Sequence, residues 1–175
     1  MRHSMRRSIE IIVLAIISFP MWDGAIAQEG SLDGRLHGDY SVTVARTCDN
    51  GFAFAVKGTA NFDGTGGGTF IGQSLLEPIG NQASLNCTST YSVNADGTFT
   101  ETLNCNITFT AGPADGNTAT LSGLELNGEL ALGGNVLLLH KTTTTSETQT
   151  FTSGPNAGQP VTRTCNASGV AASRR

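Results

Sequence analysis

Asp-Gly, Asn-Gly and Gly-Gly pairs punctuate the chain at Asp33-Gly34, Asn50-Gly51, Asp63-Gly64, Asp96-Gly97, Asp115-Gly116, Asn127-Gly128 and Gly133-Gly134-Asn135. Such pairs take positive φ at little cost and suit the tight turns that join antiparallel strands. Between them lie short segments rich in Thr, Val and Phe, with apolar and polar residues alternating at period two. No comparable window has apolar residues at helical spacing with good helix formers between them. The alternation predicts strands near residues 36–46, 51–60, 67–74, 84–94, 98–110, 117–127, 135–143, 145–153 and 159–167. Eight or nine strands joined by short turns make an all-β domain. An antiparallel up-and-down sheet of that size hides its edges best by closing into one barrel, with a β-sandwich as the alternative.

The sharpest local prediction is a hairpin over Leu85 to Phe109. Its turn, Asn94-Ala95-Asp96-Gly97-Thr98, fits a three-residue loop with Gly97 in the left-handed position. That loop sets Cys87 opposite Cys105, Ser89 opposite Leu103, Tyr91 opposite Glu101 and Val93 opposite Phe99. The face carrying Phe99, Glu101, Leu103, Cys105, Ile107 and Phe109 then goes inward, and the face of Thr and Asn residues goes outward. The chain has four cysteines. If Cys87 bridges Cys105, Cys48 is left for Cys165, which would tie the end of the first strand to the last strand. Those strands are neighbours only in a closed sheet, so the pairing and the barrel support each other. Each bridge would contribute on the order of 3 to 4 kcal/mol by the loop-entropy argument. Zinc ligation uses close cysteine pairs, which this spacing lacks, and no metal site is expected.

The N-terminus reads as a secretory leader. Arg2, Arg6 and Arg7 precede an apolar run from Ile11 to Phe19 and a small-x-small site at Ala25-Ile26-Ala27. Residues 1–27 are therefore expected to be a signal peptide cleaved after Ala27, and residues 28–175 a single barrel domain with short flexible termini. The apolar run is too short to span a bilayer, so the mature chain is expected in the periplasm or outside the cell, not embedded in the membrane. An even cysteine number fits an oxidising compartment. Without the leader the chain keeps seven basic and twelve acidic residues, with no basic cluster beyond Arg174 and Arg175. That balance disfavours nucleic acid and anionic membranes as partners.

Residues able to do chemistry are few. Glu101 is the one ionisable side chain that the alternation puts on an otherwise apolar inner face, opposite Tyr91. Buried there, its carboxyl would titrate high and serve as a general acid or ligand-orienting group; near the turn, it could instead be solvated at the rim. His37 and His140 are the histidines that follow the leader. His140 is the third weak catalytic candidate beside Glu101 and Tyr91, although a surface position at a strand end is the simpler reading. No H-E-x-x-H, G-x-S-x-G or phosphate loop is present, and Gly66 to Gly68 read as a flexible turn opening a strand. Tyr40, Phe52, Phe54, Phe62 and Phe70 alternate with Val42, Val44 and Val56 toward the interior. They either fill a core or line a ligand cavity, which the many small residues of these strands would help keep open. Of these, Tyr40, Phe52 and Phe54, with Tyr91 and Glu101, form the candidate ligand-binding set. The threonine run at Thr142 to Thr145 reads as solvated strand.

The segments Gly58 to Gly67 (GTANFDGTGG) and Thr90 to Thr98 (TYSVNADGT) resemble a strand-and-turn pattern of small exported bacterial proteins of largely unknown function. In these, a G-x-x-x-F-D-G-x-G segment precedes a G-T-Y-x-V-x-x-D-G-T-G hairpin, and the fold is similar to lipocalin or allene-oxide-cyclase barrels. Here Ser89-Thr90-Tyr91 stands for Gly-Thr-Tyr, and Phe99 replaces the last glycine. The resemblance implies a calycin-like barrel and transfers no catalytic residue. The leading expectation is an exported binding module for a small apolar or amphiphilic ligand, or for a protein partner, with no cofactor. A cyclase- or isomerase-type enzyme using the barrel interior is the alternative, as is a structural or envelope-surface protein with a filled core.

Overall fold

The computed structural model describes residues 32–141 and 146–174. The expected leader with its cleavage site, the Thr142 to Thr145 run and Arg175 lie outside the described residues. Nine antiparallel strands follow one another: β1 (His37–Cys48), β2 (Ala53–Asp63), β3 (Gly67–Glu77), β4 (Asn81–Val93), β5 (Thr98–Ala111), β6 (Thr118–Ala131), β7 (Val136–Lys141), β8 (Ser146–Phe151) and β9 (Pro160–Ser173). Each of β1 to β6 pairs with the next, and β9 pairs with β1, which closes the sheet. β7 and β8 occupy one stave in succession: both pair with β6 on one side and with β9 on the other. The result is the expected up-and-down barrel, with eight staves from nine strands, and not a sandwich.

The hairpin stands in the expected register. Cys87, Ser89, Tyr91 and Val93 face Cys105, Leu103, Glu101 and Phe99, and Gly97 has φ +86°. Cys87–Cys105 and Cys48–Cys165 are the two disulfides. Alternation sends Tyr40, Val42, Val44 and Cys48 of β1 inward, with Phe99, Leu103, Cys105, Ile107 and Phe109 of β5. The outward positions of β5 are Thr, Asn and Thr again, from Thr100 to Thr108, and they are largely solvated.

Two sequence expectations need correction. Asn127-Gly128 is not a turn, because both residues lie inside β6, and the chain reverses at Leu132 to Gly134 instead. Gly128 is there for close approach: a Cβ would stand 2.4 Å from the Leu138 carbonyl oxygen across the ladder. The small residues of β2 and β3 do not simply leave space. Gly58 and Gly72 pair across the sheet, and the Phe70 ring lies against both, so that a Cβ on either would meet it at 2.6 or 2.5 Å.

One end of the barrel is plugged. A single 3-10 turn, Asp33–Arg35, folds over it, with Asp33 Oδ1 accepting from Val93 N at 2.6 Å and Leu32 N donating to Val93 O. Leu36 beneath is fully buried. The turn at Leu132–Gly134 packs beside it, and Gly134 sits so close to Arg35 that a Cβ would meet its carbonyl oxygen at 2.5 Å.

The disulfides should differ in weight. Cys48–Cys165 closes a loop of sequence separation 117 and Cys87–Cys105 one of 18, so loop entropy assigns them about 5 and about 3 kcal/mol. Denaturant unfolding of the Cys48→Ala/Cys165→Ala and Cys87→Ala/Cys105→Ala variants is expected to show the larger loss in the first. Equal losses would mean that closure does not depend on the longer link.

Candidate binding site in the barrel interior

The interior is layered. Under the plug, Tyr40, Phe62, Tyr91 and Phe99 form an aromatic layer, with Phe62 edge-on to Tyr40, Tyr91 and Phe99 at centroid distances of 5.4, 5.0 and 6.0 Å. The phenol groups are tied to backbone. Tyr40 Oη donates to Gly134 O at 2.5 Å; Tyr91 Oη is 3.0 Å from Leu36 O, to which it donates, and accepts from Gly64 N at 3.0 Å. Both tyrosines therefore pin the plug and neither lines the cavity below, unlike the reading that made them ligand contacts.

Below this layer the barrel encloses a cavity of about 80 Å³, walled by Val42, Phe70, Leu103, Leu124, Leu126 and Leu139 among others. Pockets for drug-sized ligands run to roughly 300–1,000 Å³, and an apolar cavity of about 150 Å³ takes benzene. The space as it stands suits a molecule of a few heavy atoms.

Glu101 lines this cavity and is only 7% exposed, so the solvated-rim reading does not hold. Its place one inward step beyond Phe99 puts it under the aromatic layer instead of in solvent. Burial raises its carboxyl pKa to about 7, with the nearby Ser89 hydroxyl acting weakly in the opposite sense. That hydroxyl is itself buried and makes no hydrogen bond of good geometry.

The far side of the interior carries a charged group that alternation did not bring to attention. Glu147 of β8 is fully buried between two guanidiniums. Arg163 Nε donates to its Oε1 at 2.7 Å, and Arg46 Nη2 donates to its Oε2. Arg163 Nη2 also donates to Gln149 Oε1 at 3.2 Å. The Phe54 ring stacks against both cations, 5.6 Å from the guanidinium carbon of Arg46 and 4.6 Å from that of Arg163. Arg46 Nε is buried without a partner. Desolvation lowers the Arg46 pKa, opposed by Glu147 and reinforced by Arg163. Lys141 turns inward as well and is 4% exposed. Arg46, Gln149, Arg163 and Phe54 all line the cavity.

Of the remaining candidates, Phe54 lines the cavity, whereas Phe52 is half-buried against the Cys48–Cys165 cluster. His140 lies on the outer face, half-buried, opposite Asn127 and Ser168. His37 is exposed. Among the described residues no group of three His, Cys, Asp or Glu could hold a metal ion.

Comparison with known proteins leaves the site to be read on its own: no family model matches the chain, and no curated protein or solved structure matches it. The resemblance to lipocalin-type barrels is met in the architecture, a closed antiparallel barrel compatible with that fold, and no family match accompanies it.

Glu101 generates a pH prediction. A carboxyl that titrates near 7 in the folded chain and near 4.5 when unfolded leaves the folded state holding the extra proton between those values, so stability falls as the pH rises through that window. The loss is on the order of 3 kcal/mol. Unfolding free energies measured from pH 4.5 to 7.5 should decline in the parent protein, and Glu101→Gln should flatten that decline; an unchanged slope would place the carboxyl in water.

Proposed function

We propose that the chain is an exported β-barrel binding module that encloses a small apolar or amphiphilic molecule. The observation that carries this reading is the cavity itself: the barrel interior is apolar and incompletely filled, with few polar side chains converging on it, the composition of a ligand site. Two disulfides and the leader-like N-terminus support export, since disulfides persist in oxidising compartments. The outward Thr and Asn of β5 favour a barrel bathed in water, because a membrane barrel presents an apolar band there.

The enzyme alternative rests on Glu101 alone. A carboxyl near neutrality inside an apolar cavity is suited to move a proton on a bound molecule, as a cyclase or isomerase requires. Tyr91, engaged with Leu36 and Gly64, is a weaker partner for such chemistry. The modest cavity volume favours the third reading, a structural or envelope-surface protein.

A native mass spectrum of the protein exported with its own leader and purified without detergent tests the proposal. The expected result is a polypeptide beginning at Gln28, lighter by four hydrogens, carrying an additional small species. The same polypeptide with nothing bound would turn the reading toward a filled-core protein that acts through its surface.

A further inference from the structure

We propose that the ligand of the barrel is a short-chain amphiphile with an anionic head, and that Arg46 and Arg163 seat that head at the cavity wall. The inference rests on the reading of the interior as a ligand site and adds the polarity and chemical class of its occupant.

Charge imbalance is the first observation. Arg46 and Arg163 share the single carboxylate of Glu147, and both guanidiniums are about 95% buried. Two cations on one anion leave an excess positive charge in a medium where uncompensated charge is costly. The second observation is an unspent donor. Arg46 Nε is buried, belongs to a side chain that lines the cavity, and has no hydrogen-bond partner. A buried N–H of a charged group left unpaired forgoes a charge-assisted hydrogen bond and still bears the cost of leaving water. An oxyanion placed against it would supply both the missing acceptor and the missing negative charge. The third is the geometry of the donors: Glu147 and the Phe54 ring hold both guanidiniums and Gln149 holds that of Arg163, so little ordering remains for a ligand to impose. The remainder of the wall, Val42, Leu103, Leu124 and Leu139 among it, is hydrocarbon and accepts a short tail.

The test uses the disulfide-intact exported protein and two matched series, acetate, propionate and butyrate against the corresponding primary alcohols, by titration calorimetry at fixed low ionic strength. At least one carboxylate is expected to bind about ten-fold or more tightly than its alcohol, the discrimination that one charge-assisted hydrogen bond supplies. Arg46→Lys, which keeps the charge and removes the Nε donor, is expected to abolish most of that preference. A measurement on the unsubstituted protein guards against misfolding of the variant: the Arg46 Nε–H resonance should move on adding butyrate and stay in place with butanol. Equal affinity for acid and alcohol would overturn the anionic-head inference and leave the binding module standing. A carboxylate preference unaffected by Arg46→Lys, with a silent Arg46 resonance, would also overturn it. Binding of neither series would overturn both this inference and the binding-module reading.

Discussion

The pairing of β1 with β9, running from Tyr40 opposite Ser173 to Cys48 opposite Cys165, turns a linear meander into a barrel. Without it two strands would each present a row of unpaired backbone groups, the feature that makes open sheets aggregate. Closure also decides what lies inside. It sets the even-numbered positions of β1 against the odd-numbered ones of β9, so that Arg46 and Arg163 converge on a carboxylate carried by β8. The Cys48–Cys165 disulfide stands at the edge of the same cluster, with Cys165 Sγ 3.7 Å from Glu147 Oε1. The staple and the charged group thus share one piece of geometry.

That arrangement carries a thermodynamic tension. Removing a carboxylate and two guanidiniums from water costs several kcal/mol per ion, and mutual attraction recovers the cost only when the remaining donors find acceptors. Glu147 has both oxygens engaged and Arg163 has two acceptors, yet Arg46 keeps one donor unused. A hydrocarbon core of the same volume would serve stability equally well or better. The cluster is therefore not accounted for by stability alone. The contrast with the opposite end supports this: Tyr40 and Tyr91 spend their hydroxyls on the backbone of the plug, which is what a purely structural polar group does.

Much of the architecture was legible because turn chemistry and alternation agree. The hairpin around Gly97 fixes its register through one positive-φ glycine, and that register sets Cys87 opposite Cys105, which leaves Cys48 for Cys165. Strand ends were less legible where residues are small. β9 continues through Ser168-Gly169-Val170-Ala171-Ala172-Ser173, beyond the predicted end at residue 167, because Gly169 allows the chain within 2.3 Å, measured from a would-be Cβ, of the Thr43 carbonyl oxygen. That close approach has no signature in propensity. Asn127-Gly128 misled for the same reason: a glycine required by a crowded ladder looks like a glycine required by a turn.

The charged cluster was hidden in a different way. Arg46 stands in phase with Tyr40, Val42 and Val44, and Arg163 with Cys165 and Ala167, so the reading that made Glu101 the one ionisable side chain turned inward is corrected: both arginines are inward as well. Either one, met singly near a strand end, reads as solvent-exposed, as arginine generally is. Only the Cys48–Cys165 pairing reveals that the two residues lie on adjacent strands two positions before a shared disulfide. The signal that would have exposed the site is the same closure that the cysteines implied: with Cys48 facing Cys165 in antiparallel register, Arg46 faces Ala167 and Arg163 lies on the other side of the cysteine pair, so the two arginines flank the disulfide and Glu147, paired with Arg163, is the anion that both reach. Glu101 was visible because it is a lone acid among hydrocarbons, whereas the arginines required two strands to be read together. Interior chemistry in a closed sheet is encoded by positions that share a layer, and such positions are far apart in the chain.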